Sequence, residues 1–248
     1  MSSRTNFTLR LSFSCIVIAL FLVVVTSASI NGIGLNLPRI ALAQQQQLQP
    51  QANLTSLKQQ QLMDGISFEF DNVIFSHHTA SVNGIQMHYV IGGQGDPVVL
   101  LHGWPQTWYE WRYVMPALAK NYTVIVPDLR GLGDSSKPFT GYDGNTTAED
   151  IYQLLSKLGL DQKIYLVGHD VGVLTAYSYA ASHPNNVSKL VILDVPPLPP
   201  PGFENCCWWF SFHQTPDIPE MLTAGNEREY LHGFIDLHIT QRQSLKMI

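Results

Sequence analysis

Apolar and polar positions divide the chain into three zones. Residues 11–30 carry no charge, and Cys15 to Val25 is an unbroken apolar run. Residues 44–65 are polar and rich in glutamine, with Gln44 to Gln47 and Gln59 to Gln61 as homopolymeric stretches. Beyond them, short apolar runs alternate with amphipathic stretches. The spacing predicts strands at Asn72–Ser81 and Ile85–Ile91, joined at the turn dipeptide Asn83-Gly84. It predicts further strands at Val98–Leu101, Tyr122–Val126, Ile164–Val167 and Lys189–Leu193. Helical spacing falls between them, at Trp108–Ala119, Thr146–Leu158 and Val173–Ala181, with Thr147 to Asp150 as a capping pattern for the second. Apolar strands alternating with helices predict an α/β fold: a mostly parallel sheet with helices on both faces. The proline run Pro196 to Pro201 ends that layered pattern, and short helices at Pro219–Thr223 and Glu227–Asp236 follow.

The first zone reads as a targeting segment. Arg4 and Arg10 precede the apolar run, and Thr26 to Ala28 and Ala41 to Ala43 offer small-residue cleavage sites. The uncharged stretch 11–30 is also long enough to anchor in a bilayer. Residues 1–43 are therefore expected to be a signal peptide or membrane anchor. The domain behind them would be exported, either secreted or membrane-associated through residues 11–30. Residues 44–65 are expected to be a disordered tether. Asn53, Asn145 and Asn186 begin glycosylation sequons.

Composition narrows the function classes. A net charge of −5 without Lys/Arg clusters argues against a nucleic-acid partner. The cysteines are Cys15 and the neighbours Cys206 and Cys207, which lack zinc-ligand spacing and read as free thiols or packing residues. No metal or cofactor is implied.

The segment Lys163 to Gly172 carries the chemistry. An apolar strand breaks into Gly168-His169-Asp170-Val171-Gly172, and a helix-prone stretch follows. This is the pattern of a nucleophile elbow, with aspartate at the centre in place of serine. A carboxylate is anionic at pH 7 and needs no base to attack carbon. An aspartate attacking saturated carbon leaves an alkyl ester, as expected for epoxides or alkyl halides.

Four blocks in order give the chain a family likeness. They are His102 to Pro105, Asp128 to Ser135, Gly168 to Gly172, and the aromatic segment Trp209 to Phe212 followed by Pro216 to Glu220 and Arg228 to Leu231. Together they resemble the α/β-hydrolase superfamily, in its epoxide hydrolase and haloalkane dehalogenase branch. The resemblance implies an α/β-hydrolase core over residues 66–201 and the start of a helical lid over 202–248, with the last strands of that fold missing, as in a C-terminally truncated or frameshifted chain. It implies Asp170 as nucleophile and Asp194 as the acid that orients a histidine. It implies an oxyanion hole from the backbone N–H groups of Trp104 and Val171, and a cis bond before Pro105. A substrate pocket is expected around His102, Trp209, Phe210 and Phe212, with a small apolar epoxide or halide as the partner molecule. The family's catalytic histidine follows the lid and has no counterpart here. His213, His232 and His238 fall in lid-like helices and are read as structural or solvent-exposed. The expected function is thus an epoxide hydrolase-like hydrolase. The alternatives are a haloalkane-type dehalogenase, or a catalytically inert fragment or binding protein.

Overall fold

A computed structural model describes residues 64–197, 201–202 and 207–238. The targeting segment, most of the tether and Cys206 lie outside these residues. No helix among the described residues is long and apolar enough to cross a membrane.

Seven strands form one sheet in the order β1-β2-β3-β5-β4-β6-β7. The strands are β1 (Ser67–Phe70), β2 (Val73–Val82), β3 (Ile85–Gly93), β4 (Asp96–Leu101), β5 (Tyr122–Pro127), β6 (Ile164–His169) and β7 (Val187–Leu193). The chain enters through antiparallel pairings β1–β2, β2–β3 and β3–β5, then continues in parallel through β5, β4, β6 and β7. Strands β2, β4, β5, β6 and β7 therefore run one way and β1 and β3 the other. The helices are α1 (Met115–Ala119), α2 (Gly144–Leu158), α3 (Val171–Ser182), α4 (Trp208–Gln214), α5 (Ile218–Thr223) and α6 (Glu227–His238).

Alternation along the strands splits the core in two. Val99, Leu101, Ile125 and Leu166 face α2 and α3, where Ile151, Leu154, Leu155, Ala176 and Tyr179 complete one cluster. Val98, Leu100, Val124 and Val126 face the other way, against Trp111, Met115 and Ala119. A third cluster seats the lid on the elbow: Trp209, Phe210 and Phe234 pack on Val173 and Val195, with Trp104 beside them.

Three sequence expectations are corrected. The stretch 108–119 is a 3₁₀ turn, Trp108–Tyr113, followed by the short α1, because Pro116 cannot donate within a continuous helix. Helix α2 starts at Gly144, and its cap is Asp143, whose carboxylate accepts from the N–H groups of Asn145 and Thr146; the 147–150 pattern lies inside the helix. Strand β7 is apolar but not buried. It forms the sheet edge among the described residues, and Val191 and Leu193 are 44% and 39% exposed.

Candidate active site

Asp170 follows the last residue of β6 and begins the turn into α3. Its backbone sits at φ 53°, ψ −123°, a conformation that strains an L-residue. The flanking glycines make the turn possible. A Cβ on Gly168 would lie 2.6 Å from the Gly172 carbonyl oxygen, and one on Gly172 would lie 2.5 Å from that of Leu101. Although it stands at the N-terminus of α3, the Asp170 side chain makes no capping bond to it. It is fully buried and turned toward the loop after β4.

That loop supplies the donor. The Trp104 N–H donates to Asp170 Oδ2 at 2.6 Å. The Val171 N–H also bears on the carboxyl. Oδ1 has no well-aligned hydrogen-bond partner among the described residues. Gly103 is required by close approach, since a Cβ there would lie 2.7 Å from Asp170 Cβ. The Trp104–Pro105 peptide bond is cis.

His102 locks this loop. Its Nδ1–H donates to the Gly103 carbonyl at 2.9 Å, and its Nε2 accepts from the Leu129 N–H at 3.0 Å. Both nitrogens are engaged and the ring is fully buried, so burial holds its pKa below the usual histidine value. Beneath the loop, Asp128 accepts from the N–H groups of Trp108 and Asp134 and pairs with His88 at 2.8 Å. His88 in turn meets His77 at 2.8 Å. Burial opposes a charge on Asp128, but the His88 bond, the His102 and His88 rings and the Asp134 N–H together hold its carboxyl below the usual range. His88, Asp128 and Asp134 also have the spacing of a metal site, yet the first two are bonded to each other and the group stands under the loop.

Two acidic residues and a histidine stand near Asp170. Glu110 Oε2 accepts from the Gly103 N–H at 2.8 Å, and Oε1 lies 2.7 Å from His169 Nδ1. The other ring nitrogen of His169 is 3.9 Å from Asp194 Oδ2. Asp194 follows β7 as Asp170 follows β6, so the two carboxyls sit at the same ends of neighbouring parallel strands. Burial alone would lower the His169 pKa. The bond and charge of Glu110, with help from Asp194, raise it above the ordinary value. Asp194 is raised by burial, against the pull of His169. Asp170 is pushed up to about 9, chiefly by burial, then by the nearby charges of Asp194 and Glu110; the Trp104 N–H opposes this. The expectation of a carboxylate anionic at pH 7 is therefore corrected. Burial favours the neutral acid here, because the N–H donors do not offset the lost hydration.

Beside the elbow lies a cavity of about 710 Å³, lined by Trp104 and Val171, by the loop from Leu129 to Tyr142, and by lid residues from His213 to Glu220. Its lining differs from the expected pocket. His102 is sealed in its loop, while Trp209 and Phe210 are buried in the cluster that seats the lid. Phe212 packs on Trp208 and Tyr230 instead. His213 does reach the cavity, one helical turn beyond Trp209 on the same face of α4. Its ring meets Trp104 edge-to-face at 4.7 Å, and its Nε2 is 2.6 Å from the Tyr230 hydroxyl. Burial lowers its pKa, with Glu220 pulling the other way. Of the two readings given to His213, the solvent-exposed one is set aside: it is half-buried at the cavity wall. His232 is exposed and His238 lies where side chains are outside the described residues. Sequence also gave no sign of Glu110, whose partners Gly103 and His169 come from two other segments.

The chain is similar to several known proteins. The chain is 56% identical over 122 residues to a soluble epoxide hydrolase of Corynebacterium sp. (strain C12), covering 49% of this chain and 42% of the relative. It is 39% identical over 128 residues to a fluoroacetate dehalogenase of Burkholderia sp., covering 50% and 42%. The solved structure of the epoxide hydrolase CorEH superposes with a TM-score of 0.60 at 46% identity, covering 64% of this chain and 59% of that one. The chain thus spans about two-fifths of the length of these curated relatives. With residues 96–225 matching the alpha/beta hydrolase fold, the chain belongs to the α/β-hydrolase family.

Proposed function

We propose that Asp170 attacks a saturated carbon of an epoxide and forms an alkyl ester with it. The observation that carries this reading is the Trp104 N–H held 2.6 Å from the carboxyl of a residue on a strained, buried elbow. In the first step a carboxylate oxygen bonds to carbon and the ring C–O bond breaks. The electron pair stays on oxygen, which takes a proton from the lid pair His213 and Tyr230. In the second step water bonds to the ester carbonyl carbon, the N–H groups of Trp104 and Val171 stabilise the oxyanion, and its collapse breaks the bond from that carbon to the alkyl oxygen, releasing a diol and restoring the Asp170 carboxylate. The proton of that water would go to a histidine base oriented by Asp194. His169 is within reach of Asp194, but Glu110 holds its other nitrogen and favours the charged ring, so it acts as a donor rather than a base.

The Burkholderia relative motivates dehalogenation as a second reading. A haloacid carboxylate would need a cation in the cavity. Arg130 lines it, but Asp150 holds its Nε at 2.8 Å and Nη2 at 2.6 Å. That commitment favours a neutral substrate. Incubation with a small reactive epoxide followed by intact-mass analysis tests the reading. An adduct on wild type, absent in Asp170→Asn, supports it; a folded wild type that never gains mass across a substrate panel removes Asp170 as nucleophile.

We also propose export, on Arg4, Arg10 and the apolar run Cys15 to Val25. A reporter fused behind residues 1–45 should reach the membrane or the exterior; retention in the cytoplasm would exclude this.

A further inference from the structure

Much of the cavity's lining comes from the segment between Leu129 and Tyr142, and that segment is closely fastened. Arg130 Nη1–H donates to the Thr140 carbonyl at 3.4 Å, while the same side chain is clamped by Asp150. The Tyr142 hydroxyl donates to the Pro138 carbonyl across the turn. Lys137 Nζ donates to the carbonyls of Gly133 at 2.7 Å and Ser135 at 3.0 Å. The loop is therefore tied at its start, middle and end. Yet at its apex it holds Phe139 75% exposed, with the ring among the residues that line the cavity. A well-fastened loop that leaves a phenyl ring exposed at the lining of a concave site makes that ring available to a ligand.

The remaining lining agrees on the ligand's chemistry. Leu129, Leu132, Pro138, Val171 and Leu174 give an apolar interior. Arg130 is neutralised by Asp150, and Glu220 adds a negative charge among the lining residues. A carboxylate bound here would find no uncommitted guanidinium and a repelling neighbour. The volume suits a ligand well beyond the size of a bare three-membered ring.

We propose that Phe139 is a specificity-determining residue, which receives a neutral aryl or branched-alkyl substituent of an epoxide whose ring is opened at Asp170. The inference rests on the nucleophile role given to Asp170. It adds a chamber for the rest of the substrate and a side chain that selects it. An apolar substituent covers the exposed phenyl ring and is itself removed from water, so both gain on binding.

The test compares the full wild-type chain with Phe139→Ala, a change at an exposed position that leaves the core untouched. Single-turnover formation of the Asp170 adduct is followed by mass for styrene oxide, 1,2-epoxypropane and glycidate. The variant should lose about tenfold or more of the styrene oxide to epoxypropane rate ratio, through a higher half-saturating concentration of styrene oxide. Glycidate should react far more slowly than epoxypropane with wild type. An unchanged ratio, or an equal slowing of both neutral epoxides, overturns the role of Phe139. Glycidate reacting as fast as epoxypropane overturns the exclusion of anions. Calorimetric titration with benzamide, which cannot alkylate, reads the chamber without chemistry. Benzamide binding weakened about fivefold or more in Phe139→Ala, in a wild type that takes no adduct, keeps the chamber and sinks only the nucleophile. Benzamide binding that is absent or indifferent to Phe139 overturns the chamber.

Discussion

The main-chain N–H of Trp104 meets the side chain of Asp170 at 2.6 Å, across two adjacent parallel strands. The loop after β4 and the elbow after β6 are thereby fixed to each other before any substrate arrives. Such preorganisation is where catalytic electrostatics are strongest, since no donor has to turn at the moment of reaction. It leaves the Asp170 carboxyl under-solvated, with its pKa pushed up to about 9.

Alkylation of Asp170 should therefore depend on pH in an unusual range. Only the carboxylate attacks, and at pH 7 it is roughly one molecule in a hundred. The adduct rate in wild type should climb about tenfold per pH unit from pH 6 and level off near 9. A rate already flat above pH 5 would show that the carboxyl ionises like an exposed one.

The same shift makes a stability prediction. The folded pKa lies above the unfolded one, so this group's contribution is fully present below pH 3.8 and is lost as pH rises toward 9. Asp170→Asn has no such loss. It should be more stable than wild type at pH 8 to 9 by an amount on the order of a few kcal/mol, and the gap should close toward pH 4. Urea unfolding at several pH values measures it. A variant less stable than wild type at pH 9 would contradict the burial argument.

Glu110 joins the oxyanion loop to the elbow, holding the Gly103 N–H and the His169 ring at once. In Glu110→Gln the bond to Gly103 persists and the charge is gone. The His169 pKa should fall, as read from its ring protons by NMR. Because that pKa is raised in the fold, the stability it brings is full below pH 6.5 and fades as pH rises through the folded value. The variant should thus be about 1 kcal/mol less stable near pH 6, and close to wild type well above that range.

Local signals made much of this legible in the sequence. The elbow shows because its two glycines lie within five residues of each other, and the strands flanking it are apolar runs with sharp ends. The cis Trp104–Pro105 bond and the donor role of the Trp104 loop also sit in one short motif. What escaped depends on pairs distant in the chain. Glu110 looks like any polar position of an amphipathic turn until the fold brings His169 to it, 59 residues later. Strand β1 is four residues long, Ser67–Phe70, too short for a period to register. Trp209 and His213 share a helix face, and only the seating of α4 on Val173 and Val195 decides which is buried and which reaches the cavity.

That seating sets the last prediction. His213 touches the Trp104 ring, lines the cavity and shares a 2.6 Å hydrogen bond with Tyr230. If this pair protonates the oxygen that leaves carbon, its removal should matter only when the leaving group needs a proton. An epoxide oxygen does; a bromide ion does not. His213→Phe keeps an aromatic ring against Trp104 and discards the nitrogens. Its Asp170 should be alkylated by an epoxide about a hundredfold more slowly than in wild type, the scale of general acid catalysis. Alkylation by an alkyl bromide of the same size should be nearly unchanged. Tyr230→Phe should follow the same split more mildly, because the imidazole remains. Equal slowing with both reagents would reduce His213 to a packing residue beside Trp104. No slowing with either would move the proton source elsewhere in the lid.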